Sequence, residues 1–366
     1  ANGIEDEVYT LLNEAIKNDS TYSHAYNVLA EIYANKKDYS NASQYYEKYI
    51  LASENTPEKL KRYASMLYIN QEYEKAIKIL ESNYDNDTEK VPSTRILAYS
   101  YQRLNNLEES KKYFEKLFSL PSAEYLSSDY ENYSDLLSST GNDSLAVVYL
   151  WKVFETDSTR NDVLSKISMM SFKNKKWDEV ISALEKKKSL NSQDYFDISR
   201  AYVFKGDKII DDLIQNFSSN LTINDELLIK LRISLLYYQK DFRDSFGDQT
   251  KINSSLDKLV QSIESFIPSN QKNKWLSVKT MWVDSVHSKI GLEYSKADTN
   301  LSILITKAPN LPVAYLWKAR VSTNFDPESE SGLAKPFYEQ FIQIVGGEIE
   351  KYKRELIEAY SYLGYY

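Results

Sequence analysis

The sequence of 366 residues contains no cysteine and only two histidines. Disulfide bonds, thiolate metal sites and cysteine nucleophiles are therefore excluded, and two histidines cannot form a multi-histidine metal cage. Glycine (9 residues) and proline (8 residues) are also scarce. Because β-sheets and βα units place these two residues in their turns, their scarcity favours a chain that is mostly helical.

The chain also lacks a positive charge excess and a long apolar run. Its 45 lysines and arginines are outnumbered by 53 aspartates and glutamates, giving a formal net charge of −8. This balance is not typical of a protein whose main partner is nucleic acid or an anionic membrane surface. The most apolar stretch, 227–238, is interrupted by Lys230 and Arg232. It falls well short of the roughly 20 apolar residues that span a bilayer, so we predict no transmembrane segment.

A regular pattern of small and bulky residues is present instead. Ala42, Ala76 and Ser110 are spaced 34 residues apart, and each is followed four residues later by a bulky residue. Thirteen residues before each of them, a bulky residue precedes a small one, as in Leu29-Ala30. The series of small or short apolar residues continues at Ala146, Val180, Ile210, Leu256, Ala297 and Ala334. Its later steps of 30, 46 and 41 residues, which end at Ile210, Leu256 and Ala297, depart from the period.

This pattern resembles the tetratricopeptide repeat (TPR), a 34-residue pair of antiparallel helices. Tyr26, Leu29, Ala30 and Tyr33 would lie on one stripe of the first helix, helix A. Small residues on helices A and B allow the two helices to approach closely. A single pair cannot bury its own apolar faces, so neighbouring pairs must stack. The resemblance is strong from residue 22 to about residue 190 and weaker from there to about 290. A helical bundle with an accidental period is the alternative, and the repeated 34-residue step disfavours it.

We therefore predict an all-α fold, a right-handed α-solenoid of stacked TPR helix pairs. Residues 1–222 are predicted to form a regular array, with a half-repeat at the N-terminus followed by about six repeats. Residues 223–366 are predicted to form irregular repeats with longer helices and insertions, ending in an incomplete repeat. The unpaired helix expected at each end suggests that the sequence is part of a longer protein.

No catalytic motif is recognisable. The chain has no glycine-rich phosphate loop, no nucleophile elbow and no His-Glu metal motif, and its two histidines, His24 and His287, fall in repeats far apart in sequence. We predict that the protein is not an enzyme and that it needs no cofactor or metal.

The resemblance implies a binding groove lined by helix A. Positions two, five, nine, twelve and thirteen of TPR helix A face this groove, and tyrosine and arginine are frequent interface hot spots. The matching residues in this chain are Asn27, Lys61, Tyr68, Arg95, Tyr99, Gln102, Arg103, Glu131, Asp135, Met169 and Phe172, with Phe196 and Arg200 in the following repeat. Reversing the charges of Arg95 and Arg103 is expected to weaken partner binding without unfolding the chain.

The predicted function is non-catalytic binding of a protein or peptide in this groove, as a scaffold for assembly of a complex. One alternative is a glycan-binding accessory protein of an outer-membrane uptake system, with Tyr68, Tyr99 and Phe172 as sugar platforms. Another is the sensor part of a longer regulator. Residues 308–320, 332–339 and 360–364 resemble the final repeats of long TPR proteins from Gram-negative gut bacteria. Such proteins are commonly exported, which favours a periplasmic location over a cytoplasmic one. The sequence leaves the partner and the oligomeric state open.

Overall fold

A computed structural model describes residues 2–121, 124–222, 224–245 and 248–365. Throughout these ranges the chain is α-helical, with two short 3₁₀ turns and no β-strand. It divides into two compact units, Ala1–Arg160 (unit 1) and Asn161–Tyr366 (unit 2). The all-α fold of stacked helix pairs predicted from the sequence is confirmed. The change of repeat organisation predicted at residue 222 lies inside unit 2 and stays a prediction.

The described residues of unit 1 form four helix pairs preceded by a single helix. Its helices are α1 (Asn2–Asn18), α2 (Ser23–Asn35), α3 (Tyr39–Leu51), α4 (Pro57–Ile69), α5 (Tyr73–Asn83), α6 (Lys90–Arg103), α7 (Leu107–Ser119), α8 (Ser127–Ser139) and α9 (Asp143–Thr156). The pairs are α2–α3, α4–α5, α6–α7 and α8–α9, and α1 packs against α2. The first helix of each pair is helix A.

The small residues of the repeat lie where the two helices of each pair meet. Ala42, Ala76, Ser110 and Ala146 are fully buried. Where serine replaces alanine, its hydroxyl donates to a backbone carbonyl of the partner helix. Ser110 Oγ bonds the carbonyl of Ala98 at 2.9 Å, and Ser134 Oγ bonds the carbonyl of Ala146 at 2.9 Å. The close approach that the spacing predicts is therefore present, and the polar substitutions leave no unsatisfied hydroxyl at these two contacts.

The turn inside each pair is equally regular. A single residue with positive φ follows helix A at Lys37, Gln71, Asn105, Gly141 and Lys175. Such a left-handed residue commonly ends a helix, and the next N–H bonds back to the helix, as Asp38 N does to the carbonyl of Tyr33 at 2.9 Å. The side chain of Asp38, or of Asn106 or Asn142 in later pairs, then caps helix B. These residues lie in the polar turns that interrupt the helical pattern.

Unit 2 departs from the regular order. Its helices are α10 (Asn161–Lys173), α11 (Trp177–Glu185), α12 (Ser192–Asn220), α13 (Asp225–Asp244), α14 (Gln249–Phe266), α15 (Lys272–Lys289), α16 (Glu293–Lys307), α17 (Pro312–Phe325), α18 (Lys335–Val345) and α19 (Lys353–Tyr365). In the pairs α10–α11 and α17–α18, the two helices that pack together are consecutive in sequence. Helix α12 instead packs along α16, and α13 to α15 are inserted between them.

The predicted repeat position Ile210 does not mark the second helix of a pair, because it lies inside α12 itself. Leu256 lies in the inserted α14, which packs against α13, but it is only half-buried, and the neighbouring Ser255 is buried instead. The helix B that matches α12 is α16, whose fully buried Ala297 holds the small position. The sequence pattern fails here because α12 continues to Asn220, well beyond the length of a regular helix A.

The core of unit 2 runs continuously from α11 to α17, with Trp275 and Trp282 buried against Phe217. A smaller cluster joins α17, α18 and α19. Leu356 and Ala359 attach α19 to this cluster. None of the helices within the described ranges is both long and apolar enough to cross a membrane.

Candidate protein-binding face

The side chain at position five of helix A contacts the start of the next helix A. In α4 this residue is Lys61, whose ammonium lies 2.9 Å from the carboxylate of Asp87, and both side chains are buried. Asp87 also accepts hydrogen bonds from Ser93 Oγ at 2.6 Å and from the backbone N–H of Glu89 at 2.9 Å. Burial alone would raise the pKa of Asp87. The hydrogen bonds from Ser93 and Lys61 outweigh it, so this pKa lies below its usual value.

Arg95 at the same position of α6 makes a two-pronged contact with Asp129 of α8. Its Nε and one terminal nitrogen lie 2.7 and 2.8 Å from the two carboxylate oxygens, and Asp129 is fully buried. The carboxylate also accepts from the hydroxyl of Tyr99 at 2.6 Å and from the N–H of Leu126 at 2.7 Å. Burial, together with donation to this carboxylate, raises the pKa of Tyr99. The side chains of Arg95 and Tyr99 therefore connect neighbouring repeats.

The arrangement continues with the charges reversed. Glu131 at position five of α8 lies 3.1 Å from the guanidinium of Arg160, immediately before α10. Gln102 donates to the backbone carbonyl of Asn132 at 2.8 Å. The predicted basic and acidic segments of the groove thus consist largely of side chains that already bond to the next repeat.

The expectation that reversing the charges of Arg95 and Arg103 leaves the fold intact needs correction, because Arg95 is bonded to the next repeat. Replacing Arg95 by glutamate would place a carboxylate against the buried Asp129 and remove its main counter-charge. Burying an unpaired charge is strongly destabilising. Reversing the charges of Arg95 and Arg103 together would therefore not leave the fold intact, and Arg103 has to be tested alone.

Tyr68 and Arg103 form a different kind of contact, which we call the Tyr68–Arg103 patch. Arg103 is exposed, and the nearby Tyr68 hydroxyl is the main cause that raises its pKa. The half-buried ring of Tyr68 lies 5.5 Å from that of Tyr73 and 6.2 Å from that of Tyr99, measured between centroids. The solvent-facing guanidinium of Arg103 thus lies beside the Tyr68 ring, which packs against two further tyrosine rings.

The remaining predicted residues have separate surroundings. In unit 1, Asn27 is half-buried on α2 and Asp135 is exposed on α8. In unit 2, Met169 is 68% exposed on α10, while Phe172 on the same helix is half-buried beneath the guanidinium of Arg200. Sequence reasoning missed Trp317, which lies beside Arg200, because the insertion of α13 to α15 hides the repeat register of α17.

A metal site requires several ligating side chains close together. Within the described ranges, no group of three or more histidine, cysteine, aspartate or glutamate side chains is arranged to hold a metal ion.

Comparisons with known proteins agree with the repeat architecture of unit 1. A family model described as anaphase-promoting complex, cyclosome, subunit 3 matches residues 35–117. No curated protein matches this chain. The helix pairs themselves, with their buried small residues and left-handed turns at TPR spacing, are of the tetratricopeptide type.

Several solved structures are similar at low identity. The C-terminal part of a TPR repeat-containing protein from Cytophaga hutchinsonii is 22% identical, with 84% of this chain and 87% of that chain covered and a TM-score of 0.43. PilF of Pseudomonas aeruginosa is 20% identical over 50% of this chain and 82% of its own, with a TM-score of 0.40. YrrB, described as a TPR protein with an unusual peptide-binding site, is 14% identical over 48% and 89%, with a TM-score of 0.39. At these scores the similarities add nothing to the inference of function.

Proposed function

We propose that this protein is a non-catalytic scaffold that binds a protein or peptide partner through its helix A faces, with the Tyr68–Arg103 patch as an anchor in unit 1. The observation that carries the proposal is the exposure of Arg103 beside Tyr68, on a face where Lys61, Arg95 and Glu131 are bonded to the next repeat. Arginine and tyrosine are the residue types that most often dominate binding energy at interfaces.

The bonds between repeats support this proposal energetically. A surface whose side chains are already held in place loses little conformational freedom when a partner binds. The Tyr68 ring is supported by Tyr73 and Tyr99, and Tyr99 is itself bonded to Asp129. The patch is thus rigid before binding, and its positive charge favours an acidic partner segment.

The proposal is tested by selecting, from a library of displayed random peptides, those that bind the full chain. Arg103→Glu and Tyr68→Ala should each lower the affinity for the selected peptides by at least about tenfold, which corresponds to about 1.4 kcal/mol. Lys78→Glu is the matched control, because Lys78 is exposed on α5, a helix B, and the charge changes by the same amount. Its affinity should stay close to wild type. The affinities are measured by fluorescence polarisation, and thermal unfolding verifies that each variant is folded.

Either of two results would overturn the proposal. One is a set of selected peptides that bind Arg103→Glu and Tyr68→Ala as tightly as the wild-type chain. The other is an equal loss with Lys78→Glu, which would mean that overall charge and not the patch controls binding.

The glycan alternative has less support. A sugar platform needs an aromatic face open to solvent, whereas the ring of Tyr99 packs against Tyr68 and Phe114 and that of Phe172 is covered by Arg200.

A further inference from the structure

Arg200 of α12 is surrounded by aromatic rings on the helix A face of unit 2. Its guanidinium carbon lies 4.4 Å from the ring centroid of Phe172, 5.3 Å from that of Phe196, 5.4 Å from that of Trp317 and 5.9 Å from that of Phe204. These rings come from α10, α12 and α17. The side chain nevertheless keeps 27% of its surface exposed. The guanidinium is therefore held in an apolar setting that is open to solvent on one side.

Among the described residues, this guanidinium has no carboxylate as close as those that pair with Arg95 and Arg320. Its nearest acidic group is Asp197, with a nitrogen–oxygen distance of 3.8 Å, beyond hydrogen-bond range. The buried Nε has no hydrogen-bond partner. Arg320, which also lies near the Trp317 ring, is by contrast bonded to both carboxylate oxygens of Glu358 at 2.9 and 2.7 Å.

The electrostatics of the site reflect this weak pairing. Burial lowers the pKa of Arg200, Asp197 raises it in part, and the neighbouring Arg320 lowers it further. Burial also raises the pKa of Asp197. A buried charge without a close partner is costly, and a bound group of opposite charge would relieve that cost.

We propose that Arg200 binds the carboxylate of a glutamate or aspartate in an extended segment of a partner protein, with an apolar neighbour of that residue packing on the exposed Met169. This inference deepens the proposed function by naming the chemistry of one contact. The contact lies in unit 2 and uses none of the residues of the Tyr68–Arg103 patch.

The site favours a carboxylate for three reasons. The planar guanidinium matches a carboxylate with two parallel hydrogen bonds. The surrounding rings exclude water and so strengthen a charged hydrogen bond. Arg320 is already neutralised by Glu358, which leaves a single under-paired positive charge and suits one carboxylate better than a doubly charged phosphate.

Asp197 gives the proposal a specific consequence. Its carboxylate is the one acidic group in ion-pair range of Arg200 in the part of unit 2 that the structure describes, so it competes with the carboxylate of the ligand. Asp197→Asn should therefore increase affinity for an acidic peptide. A purely structural role of Arg200 would give no such gain.

The test measures how tightly the full chain binds each member of a set of fluorescein-labelled heptapeptides. Each peptide is acetylated and amidated and carries a central glutamate, with flanking Leu, Phe or Ser varied, and each has a twin with central glutamine. The wild-type chain should prefer glutamate peptides about tenfold. That preference should disappear in Arg200→Gln and increase in Asp197→Asn.

Arg243→Gln is the matched control. The guanidinium of Arg243 lies 4.1 Å from the ring of Phe325, but Asp244 pairs with it at 2.6 Å. Its substitution removes an arginine from an aromatic ring without touching an under-paired site, so the glutamate preference should stay unchanged. If Arg200→Gln unfolds, Arg200→Lys keeps the charge without the planar donor pair and should bind glutamate peptides more weakly.

Two results overturn the inference: equal binding of glutamate and glutamine peptides to the wild-type chain, or a glutamate preference that persists in Arg200→Gln. Peptides that are lost in Arg103→Glu and indifferent to Arg200→Gln would leave the proposed function standing without this contact. Peptides that depend on Arg200 and are indifferent to Arg103→Glu and Tyr68→Ala would support this contact, and the peptide selection on the full chain would still decide the role of the Tyr68–Arg103 patch.

Discussion

Arg95 and Arg103 lie on the same helix and carry the same group, yet their surroundings differ. Arg95 is bonded to the buried Asp129 of the next repeat, whereas Arg103 is exposed beside Tyr68. Both occupy positions that face the groove in a TPR. Position in the repeat therefore places a residue on the face, and the residue that the next helix presents decides whether its charge is available to a partner.

The difference predicts effects of very different size on the free energy of unfolding. Arg95→Met leaves the carboxylate of Asp129 buried without its counter-charge, so we expect the free energy of unfolding to fall by about 3 kcal/mol. Arg103→Met removes an exposed group and should change it by no more than about 0.5 kcal/mol. Urea unfolding followed by circular dichroism measures both.

A double substitution identifies the cause of the loss at Arg95. With Asp129→Asn also present, no charge is left buried, and the combined loss should be smaller than the sum of the two single losses. Additive losses, or equal stability of Arg95→Met and Arg103→Met, would show that the ion pair does not hold the repeats together.

At the scale of the helices, the pairing of α12 with α16 depends on a close approach at Gly206. A Cβ atom at this position would lie 3.0 Å from ring atoms of Tyr294. The Tyr294 ring is almost fully buried, and its hydroxyl donates to Asp207 at 2.5 Å, so the ring has little room to move. The glycine thus leaves room for the Tyr294 ring against the long helix α12.

We therefore expect Gly206→Ala to destabilise the protein by about 1–3 kcal/mol through overpacking. This is the opposite of its effect in an unconstrained helix, where alanine is favoured over glycine by about 1 kcal/mol. Gly364→Ala on α19 is the control, because no atom lies within 4 Å of its added Cβ. Thermal unfolding should show a loss with Gly206→Ala only, and an unchanged or higher midpoint with both variants would contradict the close contact.

At the scale of the whole molecule, the boundary between compact units decides which fragments can fold. A cut after residue 222 separates α12 from α16, whose buried residues Tyr294, Ala297, Leu301 and Leu304 belong to the same core as those of α12. A cut after Arg160 keeps both helices in unit 2. The predicted change of repeat organisation lies at the first position, and the compact units divide at the second.

Fragment 161–366 should accordingly unfold in a single cooperative transition, whereas fragment 223–366 should show weak cooperativity and rapid amide exchange in α16. Apolar surface that loses its partner helix is exposed to water, which removes about 25 cal/mol per Å² of burial energy. Circular dichroism melting and hydrogen exchange measure the two behaviours, with fragment 1–160 as the control. A cooperative fragment 223–366 with a protected α16 would show that the inserted helices fold without α12.

The sequence predicted the regular part of the fold well because its determinants are local. The buried Ala42, Ala76 and Ser110 and the turns at Lys37 and Gln71 recur with the repeat period, so their pattern is visible without tertiary information. The face that carries the candidate site follows from the same register.

The rest could not be predicted because it depends on distant contacts. Tyr294 bonds to Asp207 across 87 residues of sequence, and the ring of Trp317 lies close to Arg200 although three helices are inserted between α12 and α16. No local periodicity encodes such a contact.

The sequence by itself determined that the chain is helical, that it folds into stacked pairs and which residues lie on the helix A faces, because a 34-residue period of small and bulky residues fixes helix spacing. Only the tertiary structure decided which charges on those faces are available. Lys61 and Arg95 are bonded to buried carboxylates of the next repeat, while Arg103 and Arg200 are not. The physical reason is that the cost of a charge depends on the groups brought around it in space, and neither composition nor spacing specifies those groups.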